Sequence, residues 1–332
     1  MGLQFRRALD GDLIYNPSHE APLKRIVVIF FVVLIALAAC APATTVPTVE
    51  NDKLAEILAR GTLIIATDGD YMPQSRLIPG TMPAVGTKCS PVQYTADQMA
   101  GFDVVVAVEI ARRLGVEPCF ITPPWSQLVA GNWGDNWDIH VGSVAITSDR
   151  MKSLYFSQPY FATPTVILVH KDNTRFMTPE DLSGKRIGVC VGCTFEAYLK
   201  GTLQLPGESV AYRIQHAEIV GYENEDPAIE DLSAGDGVEL DAVITLLPIA
   251  NRAVQSGSPV KMMKEPLWFA FASVTFDRFS VRDQARLMDA VSKIIQDLHA
   301  DGSLRQWSME YQGIDLTREA AQFDITSLHQ LP

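Results

Sequence analysis

The run GFDVVVAVEIARRLGVEPCFIT, residues 101–122, holds a helix and a strand back to back. Val104, Ala107, Val108, Ala111 and Leu114 recur at helical spacing, which gives the segment one apolar face. Gly101-Phe102-Asp103 opens this helix and Gly115 closes it. Cys119 to Thr122 then reads as a strand. Working outward, Lys53 to Arg60 reads as a short helix, Leu63 to Ala66 as a strand and Asp138 to Val144 as another. Strands alternating with helices define an α/β fold built on a largely parallel sheet.

The second half repeats the pattern. Thr178-Pro179-Glu180-Asp181 sets a cap residue before a proline and two acids, the signature of a helix start. Arg186 to Cys190 reads as a strand, Phe195 to Lys200 as a helix, Pro227 to Ala234 as a helix and Leu240 to Thr245 as a strand. Ser280 is expected to cap a helix whose apolar positions are Leu287, Met288, Val291, Ile294, Ile295 and Leu298, with Asp301-Gly302 as its stop. Residues 75–98, rich in Gly, Pro, Ser and Thr, read as a loop long enough to need a purpose.

Composition is that of a globular protein, 47% hydrophobic and 20% charged, with a net charge of −12. Such acidity argues against nucleic acid as a partner, because neutralising phosphates needs a basic surface. Setting Cys40 aside, the cysteines are Cys89, Cys119, Cys190 and Cys193. The pairs Cys89 with Cys119 and Cys190 with Cys193 are possible, but spacing does not fix connectivity. Cys190-Val191-Gly192-Cys193 also permits redox chemistry or a metal site, although no histidine cluster accompanies it.

Leu23-Lys24-Arg25 precedes an apolar run, Ile26 to Ala39, the layout of a bacterial export signal. The run ends in Leu37-Ala38-Ala39-Cys40, which resembles the lipobox of bacterial lipoproteins. That resemblance implies removal of residues 1–39 as a signal peptide, a lipid on Cys40, and a tether over residues 40–51. A retained membrane span is the competing reading. About 14 apolar residues are short for one, since a span needs roughly 20.

Further phrases resemble the extracellular solute-binding proteins of family 3, the polar amino-acid receptors of ABC importers. They are Gly61-Thr62-Leu63 leading to Asp68-Gly69-Asp70-Tyr71-Met72-Pro73, then Gly101-Phe102-Asp103-Val104, Thr147-Ser148-Asp149-Arg150 and Phe156-Ser157-Gln158-Pro159-Tyr160. Later come Asp181 to Val189, Gly192-Cys193-Thr194, Asp241-Ala242-Val243 and Ala300-Asp301-Gly302-Ser303-Leu304. The likeness runs from about residue 55 to residue 313.

The resemblance implies a bilobed periplasmic-binding-protein-like fold, two α/β lobes joined by a two-strand hinge. Lobe 1 is then 52–163 plus 271–320, lobe 2 is 164–270, and 321–332 form a C-terminal tail. It also implies a small-molecule ligand enclosed between the lobes, a polar amino acid or similar carboxylate, and delivery to an ABC permease. A monomer without cofactor or metal is expected.

Taking a zwitterion out of water is costly unless each charge meets a partner. Arg150 is the candidate for the ligand carboxylate, since a guanidinium makes two parallel charge-assisted bonds. An ordinary ion pair with Asp149 is its competing role. Gly192 and Thr194 stand at a helix start, where free N–H groups favour an anion, although Thr194 could equally be a simple cap. Ser143 and Ala145 occupy family positions that contact ligand largely through the backbone, and Ala145 stands where a hydroxyl residue is usual. Tyr71, Phe102 and Trp125 are candidate apolar walls, with core packing the competing role. Asp68 is the family position that often meets a polar or cationic side chain, or else a turn acid.

The largest departure is Leu246, where many such receptors place an aspartate for the ligand ammonium. Asp68 or an acid from Glu223 to Asp226 must then substitute, or the ligand is not a standard α-amino acid. No His-Glu-x-x-His, Gly-x-x-x-x-Gly-Lys, Gly-x-Ser-x-Gly or Gly-x-Gly-x-x-Gly string occurs. Ser258-Pro259-Val260-Lys261 matches Ser-x-x-Lys, but Pro259 disfavours the helical spacing this needs. His140, in an apolar stretch, reads as a satisfied structural histidine. The chain is therefore expected not to be an enzyme. The alternatives are a cyclohexadienyl-acid dehydratase on the same fold, as some relatives of this family are, or a sensory solute-binding subunit.

Overall fold

The computed structural model describes residues 51–328. The expected signal peptide, Cys40 and nearly all of the tether lie outside the described residues, as do the last four residues of the tail. Helix α1 (Lys53–Arg60) leads into strand β1 (Thr62–Ala66). Two short strands follow, β2 (Asp70–Tyr71) and β3 (Ser75–Leu77), then β4 (Tyr94–Thr95) and β5 (Met99–Ala100). Helix α2 (Phe102–Leu114) ends at Gly115, whose φ of +76° supplies the left-handed stop that the sequence pattern requires. Strand β6 (Glu117–Ile121) completes the first crossover, and helix α3 (Trp125–Ala130) leads to β7 (Ile139–Ala145).

The 17-residue strand β8 (Leu154–His170) then runs out of this half of the molecule into the other. There β9 (Arg186–Cys190), helix α4 (Thr194–Leu199), β10 (Glu218–Tyr222), helix α5 (Glu225–Ser233), β11 (Ala242–Leu246), helix α6 (Leu247–Gln255) and β12 (Val260–Met262) build a second α/β layer. Strand β13 (Trp268–Asp277) returns antiparallel to β8, from Trp268 opposite Thr165 to Asp277 opposite Leu154. Helices α7 (Ala285–Ala300), α8 (Ser303–Gln312) and α9 (Arg318–Ala321) close the first half.

The main sheet runs in the order β10-β9-β11-β8-β13-β7-β1-β6-β4. It is parallel within each half (β6-β1-β7 and β10-β9-β11) and antiparallel where β8 and β13 join them. Two main apolar cores form on either side of this pair. One gathers Ile187, Val189, Leu232 and Ile249; the other gathers Ile65, Phe102, Ile110 and Leu298. This is a bilobed periplasmic-binding-protein-like fold, two α/β lobes joined by a two-strand hinge.

Three expectations need correction. Thr178 does cap a turn, and Asp181 answers with a reciprocal bond, but only a 3₁₀ turn (Pro179–Leu182) forms because Ser183 is extended and Gly184 takes φ +72°. Helix α7 starts at Ala285 with Gln284 at its cap, five residues after Ser280. Asp283 is held away from helical geometry by backbone bonds to Asn51 (2.6 Å) and Lys53 (3.1 Å). Residues 75–98 are not wholly loop: their ends are β3, β4 and a 3₁₀ turn, and their middle is tied down by the Cys89–Cys119 disulfide and by Lys88 N–H to Glu117 (2.9 Å).

Gly101 precedes α2 with φ +130°, and a Cβ there would collide with the Gln74 carbonyl. The backbone of that turn is fixed from the other side, by Phe102 N–H to Pro73 (3.1 Å) and Asp103 N–H to Gln74 (2.8 Å). Gly101→Ala is expected to lower stability by about 2 kcal/mol or more, since the clash and the strained φ add. Urea unfolding checks this, and an effect within about 0.5 kcal/mol of wild type would contradict it.

Candidate functional site

A cavity opens beside the hinge where the two lobes face each other. Asp68, Tyr71, Trp125, Ser143, Ala145 and Arg150 line it from the first lobe, and Thr194, Glu225, Leu246 and the Cys190–Cys193 disulfide from the second. Of the residues singled out in the sequence, the fold thus brings Asp68, Tyr71, Trp125, Ser143, Ala145, Arg150 and Thr194 to one place. Phe102 does not join them. It is fully buried in the first lobe's core, edge-on to Phe161 with ring centroids 5.5 Å apart, and of that pair Phe161 reaches the cavity.

Arg150 begins a 3₁₀ turn (Arg150–Lys152) just beyond β7, held by its own N–H to Thr147 Oγ1 at 3.1 Å. Its guanidinium donates to the Ala145 carbonyl (3.1 Å) and, across the lobes, to the Gly192 carbonyl (3.4 Å). Its Cζ lies over the Trp125 ring, 5.2 Å from the centroid. Asp149, next to it in sequence, pairs with Lys152 instead (2.9 Å). Among the described residues Arg150 has no ion pair, and burial pushes its pKa down to about 10. It is a desolvated cation whose partners are carbonyls and an indole face.

The acids stand on other walls. Glu225 is the first residue of α5, whose cap is the Asn224 side chain accepting from Asp226 N–H (3.0 Å). Only 3% of Glu225 is exposed, and its carboxylate accepts from the Tyr71 hydroxyl of the other lobe at 3.5 Å. Burial, with Asp226 and Asp68 adding repulsion, raises its pKa to about 7. Asp68 is half-buried; it accepts from Asp70 N–H (2.9 Å), and burial again raises its pKa. Asp103 lies behind the wall, fully buried, accepting from Tyr160 Oη (2.7 Å) and Ser143 Oγ (2.8 Å), with its pKa raised to about 7 by burial.

These bonds change what some expected residues can offer. Ser143 spends its hydroxyl on Asp103 and its N–H on Tyr160 Oη (2.9 Å), at the cost of a left-handed φ of +57° inside a strand. The Ala145 carbonyl is taken by Arg150, and Gly192 N–H by Glu196 (2.8 Å). Helix α4 is a short six-residue piece. His140, fully buried, meets Thr275 at 3.5 Å through Nδ1 only; burial and Arg150 lower its pKa to about 3, which keeps it neutral. Sequence reasoning missed Thr163 and Ala270, on the two hinge strands, as cavity residues. Their only signal was position on strands that cross between lobes.

A cavity between two hinged lobes, with a buried cation on one wall and acids on others, defines a solute-binding protein. A family profile for bacterial extracellular solute-binding proteins, family 3, matches residues 84–314, and the chain belongs to that family. It is 25% identical to the L-cystine-binding protein TcyJ of Escherichia coli (strain K12) over 296 residues, covering 86% of this chain and 95% of the relative. It is 25% identical to the histidine-binding periplasmic protein of the same strain over 225 residues, 66% of this chain and 81% of that one. Among solved structures, the ancestral amino acid-binding protein AncCDT-1, a precursor of cyclohexadienyl dehydratase, shares the fold with a TM-score of 0.63 at 24% identity. That match covers 79% of this chain and 99% of the other.

The raised acids make stability fall with pH. Glu225 and Asp103 keep their protons in the folded chain where the unfolded chain has released them. The resulting stabilisation is complete below the ordinary carboxyl range and is lost as pH rises through about 7. Glu225→Gln is expected to remove roughly 3 kcal/mol of the decline between acidic and neutral pH. Urea unfolding at a series of pH values tests this, and parallel profiles for variant and wild type would contradict it.

Proposed function

We propose that this chain is the substrate-binding lipoprotein of an ABC importer. It captures a polar amino acid or similar small carboxylate between its lobes and delivers it to a membrane permease. In this reading the lobes are 52–163 with 271–320, and 164–270, and residues 321–332 are a tail. Cys40 carries the lipid once residues 1–39 are removed, holding the protein outside the cytoplasm as a membrane-anchored monomer that needs no cofactor.

The observation that carries the reading is the buried Arg150 without a carboxylate, in the same cavity as Glu225 and Asp68. A zwitterion supplies what each lacks. Its carboxylate completes Arg150 with two charge-assisted bonds, and its ammonium meets Glu225, which stands in for the aspartate that Leu246 replaces. Tyr71 and Trp125 would wall the ligand's side chain, while Thr194 adds a hydroxyl and Ser143 and Ala145 shape the floor. Membership of the family, and relatives that bind L-cystine and histidine, support an amino acid as the class.

Closure follows from the same contacts. Arg150 to Gly192, Tyr71 to Glu225 and Ser148 N–H to Gln204 (2.9 Å) each join one lobe to the other. A ligand that strengthens the first two favours the closed form, which is the form a permease would recognise.

One observation favours a second reading. A cleft acid with a pKa of about 7 could donate a proton, as a cyclohexadienyl-acid dehydratase requires. Turnover of prephenate or arogenate by the purified chain would establish it and displace the receptor reading.

Calorimetric titration against a panel of amino acids tests the proposal. At least one is expected to bind, and Arg150→Ala should weaken it about 100-fold or more, the worth of two charge-assisted bonds. Unchanged affinity in that variant would remove the carboxylate clamp.

A further inference from the structure

The Cys190–Cys193 disulfide is not explained by capture of an amino acid. It spans three residues, with Cα atoms 5.5 Å apart, so it closes a very short loop and removes little entropy from the unfolded chain. Cys89–Cys119, 30 residues apart, ties a long surface loop to β6 and has a plain structural purpose. A local disulfide in a cavity wall calls for a different one.

Its two sulfurs sit in unlike surroundings. Cys190 ends β9 and is only 2% exposed, with its Sγ 3.8 Å from a Glu225 carboxyl oxygen. Cys193 is half-buried, facing both the interlobe cavity and an adjoining groove that it shares with Arg150 and with the Asp149–Lys152 ion pair, which leaves Arg150 as the groove's unpaired charge among the described residues. Cationic surroundings favour a thiolate, and a carboxylate disfavours one. Cys193 is therefore the reachable sulfur, on the wall it shares with the unpaired Arg150, and Cys190 the enclosed sulfur against Glu225.

We propose that Cys190–Cys193 is a thiol–disulfide exchange site for low-molecular-weight thiols and disulfides entering the interlobe cavity, with Cys193 as the sulfur attacked. An incoming thiolate bonds to Cys193 Sγ and the Cys190–Cys193 bond breaks. Cys190 departs with the electron pair and is protonated. A second thiolate then attacks the incoming sulfur, releasing the small disulfide and the Cys193 thiolate. Two thiols are oxidised to one disulfide and the protein disulfide is reduced to a dithiol. Run backwards, the protein dithiol reduces a small disulfide to two thiols. Glu225, protonated in part near neutrality, is the neighbour placed to give Cys190 its proton.

Exchange also touches closure. Gly192, whose carbonyl accepts from Arg150 across the lobes, lies between the two cysteines. Opening the disulfide frees that segment, so the reduced protein holds its lobes together less firmly.

The test uses no amino-acid ligand, so its failure is distinct from failure of the binding reading. The oxidised full chain is exposed to limiting dithiothreitol, quenched with acid at intervals, alkylated and read by peptide mass spectrometry. Cys190 and Cys193 should be reduced at least about tenfold faster than Cys89 and Cys119, where Glu117 lies 3.8 Å from Cys89 and Cys119 is fully buried. Equal rates, or faster loss of Cys89–Cys119, would overturn the proposal. In a second arm, Cys190→Ser and Cys193→Ser variants are treated with bis(2-hydroxyethyl) disulfide. Cys193, left alone in Cys190→Ser, should take the adduct several-fold faster than Cys190 in Cys193→Ser, and the reverse order would also overturn it.

Discussion

Arg150 is a full positive charge in a buried wall, and the rest of the site is arranged around leaving it incompletely answered. Two carbonyls and an indole face keep it in place, but none of them cancels its charge, and Asp149 is spent on Lys152. A buried cation is costly when unpaired, so the folded chain tolerates an imbalance that a bound carboxylate would relieve. The acids carry the opposite imbalance. Glu225 and Asp68 are held where ionisation is disfavoured, and both pKa values are raised by burial. A ligand bearing both charges lowers the cost on both walls at once.

In the proposed reading, the two-strand hinge couples that electrostatic arrangement to closure of the lobes. Because β8 and β13 are the strands that pass between the lobes, Arg150 and Glu225 stand on opposite sides of that strand pair. Each already touches the opposite lobe, through Gly192 and Tyr71. On the proposed reading, ligand recognition and lobe closure draw on the same atoms. The Cys190–Cys193 disulfide constrains the segment that supplies Gly192, which gives redox chemistry a route to the same equilibrium.

Much of this was legible where the signal is local. The periodicity of residues 101–115 and its flanking glycines gave α2 to the residue, because apolar spacing and a left-handed stop are properties of the segment itself. The motifs point to Arg150, Thr194 and Asp68, which line one cavity with Leu246 and with Glu225, an acid from the stretch Glu223 to Asp226 that the departure at Leu246 singles out. What was not legible depended on partners distant in sequence. Ser280 looks like a cap until the pairing of Asp283 with residues 51 and 53 is known. Phe102 and Phe161 are indistinguishable by type, and only the packing of α2 against the sheet decides which reaches the cavity. The occupied hydroxyl of Ser143 needs Asp103, 40 residues away.

In the proposed site, Arg150 and Glu225 hold the two ends of one zwitterion. A crystal structure of the chain with a bound amino acid would show whether they do. The ligand carboxylate is expected within hydrogen-bonding distance of the Arg150 guanidinium and the ammonium within that distance of Glu225. A ligand lying in the opposite sense, or one whose ammonium meets backbone carbonyls while Glu225 turns away, would contradict it.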